Sequence, residues 1–143
     1  MSYTVDLLDG LARLLDSAGV GTYRPDSPYA DGETAITIAA TPPIPDRVIC
    51  LSAYPVAESP VLTDTTTGIQ VRTRAGPDPR EVCALDDAVF DVLHGSGPHT
   101  WGEARVQLIT RASAAPIGAD GSGRAERSSN YHARAHRAAK HLE

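Results

Sequence analysis

The side chains of this 143-residue chain with chemistry to offer are few and scattered: His132, His136 and His141 near the C-terminus, Cys50 and Cys83, the neighbours Asp86 and Asp87, and the run Gly118-Ala119-Asp120-Gly121-Ser122-Gly123. Metal binding is the first chemistry to test. On a strand, His132 and His136 share a face but stand about 13 Å apart, too far for one ion. Only a helical C-terminus would bring them together, and no cysteine or carboxylate cluster sits at ligand spacing. His94 and His99 flank a Gly-Ser-Gly-Pro turn and read as loop residues. The glycine-rich run lacks the Lys-Ser/Thr ending and following helix of a phosphate loop, and it lacks the regularly spaced acidic ligands of a calcium loop. It reads as a mobile hairpin loop over Pro116 to Gly123. Cys83 falls on the apolar side of a helix, where a thiol packs rather than attacks. Asp86 and Asp87 diverge on that helix and form no acid–base pair. No enzyme, metal or cofactor is expected.

The arginines are better placed. In Gly68-Ile69-Gln70-Val71-Arg72-Thr73-Arg74, alternation puts Ile69, Val71 and Thr73 on one face of a strand and Gln70, Arg72 and Arg74 on the other. Residues 124–140 hold Arg124, Arg127, Arg134, Arg137 and Lys140 against Glu126 alone, on a chain whose net charge is −5. A cationic end on an acidic body can dock on a neighbouring copy, approach nucleic acid or simply be solvated. The acidic balance and the lack of stacking aromatics speak against a nucleic-acid sheet face of Arg72, Arg74, Arg105 and Arg111. Forked pairs with carboxylates across an interface suit them better.

The elements that position these residues follow from periodicity. Thr4 can cap a first helix whose apolar stripe is Val5, Leu8, Leu11, Leu14 and Leu15, and Gly19 and Gly21 end it. Short strands are expected at 22–28, 34–39 and 47–54, with an extended link enforced by Pro42, Pro43 and Pro45. Residues 55–67 lack periodicity and read as a long loop. Gly76-Pro77-Asp78-Pro79 signals a helix start, with Asp78 as cap and Pro79 in the first turn. Val82, Leu85, Ala88, Val89, Val92 and Leu93 form the stripe of that second helix, which His94 and Gly95 end. A strand follows at 104–111, with Val106, Leu108 and Thr110 on one side. The last strand is 125–137, with Ser129, Tyr131, Ala133 and Ala135 opposite Asn130, His132, Arg134 and His136. The order α-β-β-β-β-α-β-β predicts an α+β fold: a mostly antiparallel sheet with both helices packed on one face.

Length and composition predict a single domain over residues 1–141, with Leu142-Glu143 read as a purification-tag remnant. One Phe, one Trp and one Met leave Val, Leu, Ile and Ala to fill the interior. Such a thin core suits a protein that completes its burial against neighbours. No segment approaches the roughly 20 apolar residues of a membrane span, and the N-terminus does not read as a signal peptide. Cytoplasmic synthesis and reduced cysteines are expected.

This order of parts resembles the small tail-terminator or minor capsid (head–tail joining) proteins of long-tailed bacteriophages. The matching positions are Gly68, Gln70, Val71, Arg72 and Arg74, the helix ending at Leu93-His94-Gly95 and the strand ending at Arg111. The Gly118…Asp120…Gly123-Arg124 loop leading to Ser129-Asn130-Tyr131 completes them. They cover about the last half of the chain; the first half departs from the pattern. The resemblance implies a virion protein of the tail or neck, made in the host cytoplasm. Its copies form a homohexameric ring on the head-proximal end of the tail tube, stop tube polymerisation and join tail to head. The partners implied are the chain itself, the tube protein and a head-completion or connector protein, with neither membrane nor nucleic acid. Interface residues would be Gln70, Arg72, Arg74, Arg111, Arg124, Asn130, Tyr131 and Arg134. Arg74→Glu should then weaken the ring without unfolding the monomer. A head-side connector, neck or minor capsid protein is the nearest alternative. A nucleic-acid-binding accessory protein using the basic C-terminal segment is the alternative from another class.

Overall fold

The computed structural model describes residues 2–138, 140 and 141; Leu142 and Glu143, expected as a tag remnant, lie outside them. Its elements are α1 (Tyr3–Ser17), β1 (Thr22–Tyr23), β2 (Ala35–Ile38), β3 (Val48–Ala57), β4 (Asp64–Arg74), α2 (Pro79–Leu93), β5 (His99–Trp101), β6 (Ala104–Ala119) and β7 (Ala125–His136). The seven strands form one sheet in the order β1-β2-β3-β4-β7-β6-β5. The β1–β2 and β2–β3 pairs are parallel, and the pairs from β3 through to β5 are antiparallel. The result is the expected α+β domain with one strand more, because His99–Trp101 pairs with the start of β6. None of the described helices is long and apolar enough to cross a membrane.

Local chemistry accounts for both helices. Ser2, rather than Thr4, caps α1: its side chain accepts from Val5 N at 3.2 Å. The face buried against the sheet is Tyr3, Leu7, Leu8, Leu11, Ala12 and Leu15, and Val5 is left 45% exposed. In α2 the cap is Asp78, accepting from Arg80 N at 3.0 Å, with Pro79 in the first turn and His94 as the C-cap. Cys83, expected in packing, is exposed. Asp86 instead joins the buried stripe.

Two segments expected as irregular are in part strands. The long loop at 55–67 shrinks to residues 58–63, because β3 runs to Ala57 and β4 begins at Asp64. Thr65 and Thr67 are buried there, with hydroxyls on the Ala57 carbonyl (3.0 Å) and the Tyr3 hydroxyl (2.7 Å). The glycine-rich loop contracts likewise: β6 continues to Ala119, and its turn is fastened by Asp120, whose side chain accepts from Ser122 N and Arg124 N, each at 2.9 Å. A register shift between Val106 and Leu108 breaks the expected alternation in β6. Val106 and Ile109 therefore point inward and Leu108 is exposed.

The main core gathers Leu7, Leu11 and Leu15 of α1, Leu85, Val89 and Leu93 of α2, and Ile49, Leu51, Ile69, Val71, Ile109 and Tyr131 of the sheet. A second cluster, Ala35, Val48 and Cys50 under Tyr29, covers the sheet near β2 and β3.

Candidate assembly surface

The register of β4 against β7 places Gln70 directly opposite Asn130, Ile69 opposite Tyr131 and Arg72 opposite Ser128. Gln70 and Asn130 carry two rows of hydrogen bonds across the sheet. In the first, Ser52 Oγ donates to Gln70 Oε1 at 3.5 Å, and Gln70 Nε2 donates to Ser128 Oγ at 3.4 Å. In the second, the Tyr54 hydroxyl donates to Asn130 Oδ1 at 3.0 Å, and Asn130 Nδ2 donates to Ser113 Oγ at 3.2 Å. Tyr54 belongs to β3 and must cross β4 to reach β7. It does so over Gly68, where a Cβ would run into the tyrosine ring. The glycine of the Gly68–Arg74 run thus serves the second row.

The arginines divide by environment. Arg72 stays half exposed and is paired with Glu126 at 2.9 Å within the chain. Arg124 is held by Asp120 at 2.8 Å and Asp46 at 3.2 Å, and donates to the Pro43 carbonyl at 2.6 Å. Arg111 stacks its guanidinium on the Phe90 ring, 4.1 Å from the centroid. Arg134 is exposed, beside Ala57, Glu58, Asp64 and Thr66 in a shallow hollow.

Two residues expected at the surface are not there. Arg74, read as part of an exposed cationic face, is 4% exposed. Its face was correctly assigned, but the proline link folds over it. Nε donates to the Asp46 carbonyl at 2.9 Å, and Nη2 donates to the carbonyls of Pro42 and Pro45 at 2.7 Å each. Burial, and then the charge of Arg124, lower its pKa from the usual guanidinium value. Tyr131 is fully buried, and its hydroxyl has no hydrogen-bond partner among the described residues. Desolvation pushes its pKa up to about 12. Neither side chain is available at the surface of the isolated chain.

Asp86, read from the sequence only as a residue diverging from Asp87, has a buried role that such a reading missed. It is 1% exposed, accepts from Ser129 Oγ at 2.7 Å and pairs with Arg127 at 3.1 Å, tying α2 to β7. Spacing alone pointed there, since Asp86 follows Leu85 and lies one turn after Val82 in the apolar stripe. His132 and His136 both lie on β7, as the strand reading requires. Among the described residues, no three His, Cys, Asp or Glu side chains are grouped to hold a metal.

Fold and surface together define a small α+β protein with a hydrogen-bonded polar sheet face that also carries the Arg72–Glu126 pair and Arg134. The chain belongs to the bacteriophage tail terminator protein family, whose model matches residues 14–137. It is accordingly a phage structural protein. Its fold is similar to that of a chain in the virion of a native gene transfer agent particle. That likeness has a TM-score of 0.64 and 13% sequence identity, and it spans 93% of this chain and 95% of that one. No curated protein matches the sequence.

Proposed function

We propose that this protein forms a ring at the head-proximal end of a phage tail tube, stopping tube polymerisation and providing the seat for the head. The observation that carries this reading is the family match over residues 14–137, which takes in the end of α1, all of α2 and all seven strands. Likeness in fold to a chain of a virion particle supports a place in the assembled particle. The ring is made of copies of this chain, with the tube protein on one side and a head-completion or connector protein on the other. Both helices cover the sheet face carrying Ile69, Val71 and Tyr131. The opposite face, with Gln70, Arg72, Asn130 and Arg134, is left for contact within the particle. Polar groups already hydrogen-bonded to one another set register and specificity more than affinity.

Electron microscopy of particles made without this gene tests the reading. Overlong tubes beside filled, tailless heads are expected. Free tails of normal length, with heads that leak or fail to join, would move the protein to the head side. Wild-type particles would overturn both positions.

A further inference from the structure

Two strands of the sheet keep part of one flank unpaired. β2 ends at Ile38, opposite Leu51, so β3 runs on from Ser52 to Ala57 with no strand beside it there. β5 pairs only with residues 104–106 of β6, and the turn after α2 takes up Ile109 and Arg111 through Gly95, Ser96 and His94. From Ala112 to Ala119, the flank of β6 that faces away from β7 has no backbone partner among the described residues. An unpaired strand edge takes one kind of ligand, another extended strand.

Alternation fixes which groups point outward. Leu51 accepts from Ala39 on the β2 flank, so Ala53 and Pro55 turn their backbone the same way. Ala125 donates to Gly76 and accepts from Ala75 on the β4 side, so Arg127 and Ser129 also face β4. Their partners in β6, Pro116 and Ala114, therefore face away from β7. Both edges present the same short pattern: an alanine with N–H and C=O, then, two residues on, a proline with C=O alone. A proline blunts an edge against incoming strands at large, so the fitting partner is one whose donors meet the proline carbonyls.

This chain carries that partner. The two edges lie on opposite sides of the β3-β4-β7-β6 block and run antiparallel. A second copy in the same orientation adds its β3 to β6 of the first. With Ala53 opposite Pro116 and Pro55 opposite Ala114, Ala53 N donates to the Pro116 carbonyl and Ala114 N donates to the Pro55 carbonyl. Tyr54, Val56 and Ile117, exposed large apolar side chains carried on the two stretches, gain cover along the seam. Pro116 stands level with Ile49 through Arg127 and Thr73, four residues short of Ala53. Each copy thus steps about 14 Å along the strands while adding four strands, about 19 Å across. The slant is about 35°, the strand tilt at which sheets close on themselves.

We propose that β3 of one copy joins β6 of the next, continuing the sheet from molecule to molecule. The contact joins two different edges, so it repeats around a ring instead of stopping at a dimer. The inference rests on the ring reading above and names the edges that build the ring.

Cross-linking tests the seam in the full chain. With Cys83→Ser to remove the exposed thiol, Ser52→Cys and Ala115→Cys place thiols diagonally across the new strand pair, about 7–8 Å apart. Within one molecule three strand spacings, about 14 Å, keep them out of reach. The purified chain, and tails that carry it, are treated with a bis-maleimide short enough to span only the diagonal. A ladder of dimers, trimers and larger species is expected, with mass spectrometry joining the peptides that hold positions 52 and 115. Linkage should run about tenfold faster than for Ala115→Cys/Asp87→Cys, whose second thiol sits exposed on α2, because docking raises the local thiol concentration. Linkage of like positions alone, position 115 joined to the tube protein, a rate no higher than the control, or no linkage in either preparation would overturn the proposal. A second variant needs no reagent. Ala114→Pro removes a donor that points away from the sheet, so the free chain should melt within a few degrees of the parent yet leave tails overlong, and Ala114→Ser should restore their length. Normal tails from a folded Ala114→Pro chain would sink the seam and leave tail termination standing. Normal tails without the gene would sink termination, while 52-to-115 linkage of the purified chain still reports the seam.

Discussion

Arg74 is a buried cation that binds carbonyls instead of a carboxylate. Its three hydrogen bonds clamp the Pro42–Asp46 link to the sheet, and Arg124 adds a fourth through the Pro43 carbonyl. Arg74→Ala leaves those carbonyls without donors and should cost about 3 kcal/mol in urea unfolding. Arg74→Lys, with no planar fork, should recover only part of that. Arg74→Glu would set a carboxylate against carbonyl oxygens, so its expected effect is now loss of the folded link, and failure to assemble would follow from misfolding. Tyr131 makes the opposite case. Its buried hydroxyl is unpaired among the described residues, so Tyr131→Phe removes a desolvated polar group and keeps the ring. The melting temperature of that variant should be unchanged or higher, and a drop of several degrees would show that the hydroxyl has a partner.

At the scale of elements, β5 carries a histidine whose burial makes it sensitive to acid. His99 stacks on Trp101 with centroids 4.4 Å apart and shares a 3.2 Å contact with Ser96 Oγ, while Trp101 lies against Gly10 of α1 so closely that a Cβ there would strike the indole. Burial lowers the pKa of His99 from 6.5. The unfolded chain therefore takes the proton first: the stabilisation is complete above the ordinary histidine value and is lost as pH falls below it, toward the lower folded value. Fluorescence of the single tryptophan should report loosening of β5 as pH drops from about 7 to 5, and His99→Gln should flatten that response. The same scale explains what the sequence could convey. The start of α2 was legible because Asp78-Pro79 acts on its own backbone, and β7 was legible because Tyr131, Ala133 and Ala135 alternate with polar residues. The first residues of β4 were not, because Thr65 and Thr67 owe their burial to the Ala57 carbonyl and Tyr3, partners remote in sequence or set by pairing. The outer part of β6 was missed for a different reason. Residues 112–119 are exposed on both faces, so no alternation betrays a strand. Of the candidate surface, Gln70 and Asn130 could be read from alternation, but their placement opposite each other depends on register, which no local pattern carries.

At the scale of the whole molecule, the charge asymmetry largely disappears on folding. Arg124, Arg127 and Arg137 of the basic C-terminal segment are paired with Asp120 and Asp46, with Asp86 and with Glu58. Duplex DNA should accordingly bind weakly, with a shallow dependence on salt; a steep slope in a fluorescence titration would restore the nucleic-acid alternative. The sheet order carries a further consequence, one that concerns time. β7 is the last strand in the chain, yet it lies between β4 and β6, pairing with both along nearly its whole length. A chain leaving the ribosome completes both helices and six strands before the piece that joins the two halves of the sheet has been made. Until then β4 offers the emerging chain an open edge, with Ile69 and Val71 waiting for Tyr131 and Ser129. A fragment ending at residue 124 should therefore lack a cooperative thermal transition by circular dichroism. The intact chain should refold slowly for its size, because its central pairings close over sixty or so residues. β7 must be made before this protein has a fold to offer its neighbours, and until that moment a nascent copy is a hazard to every other.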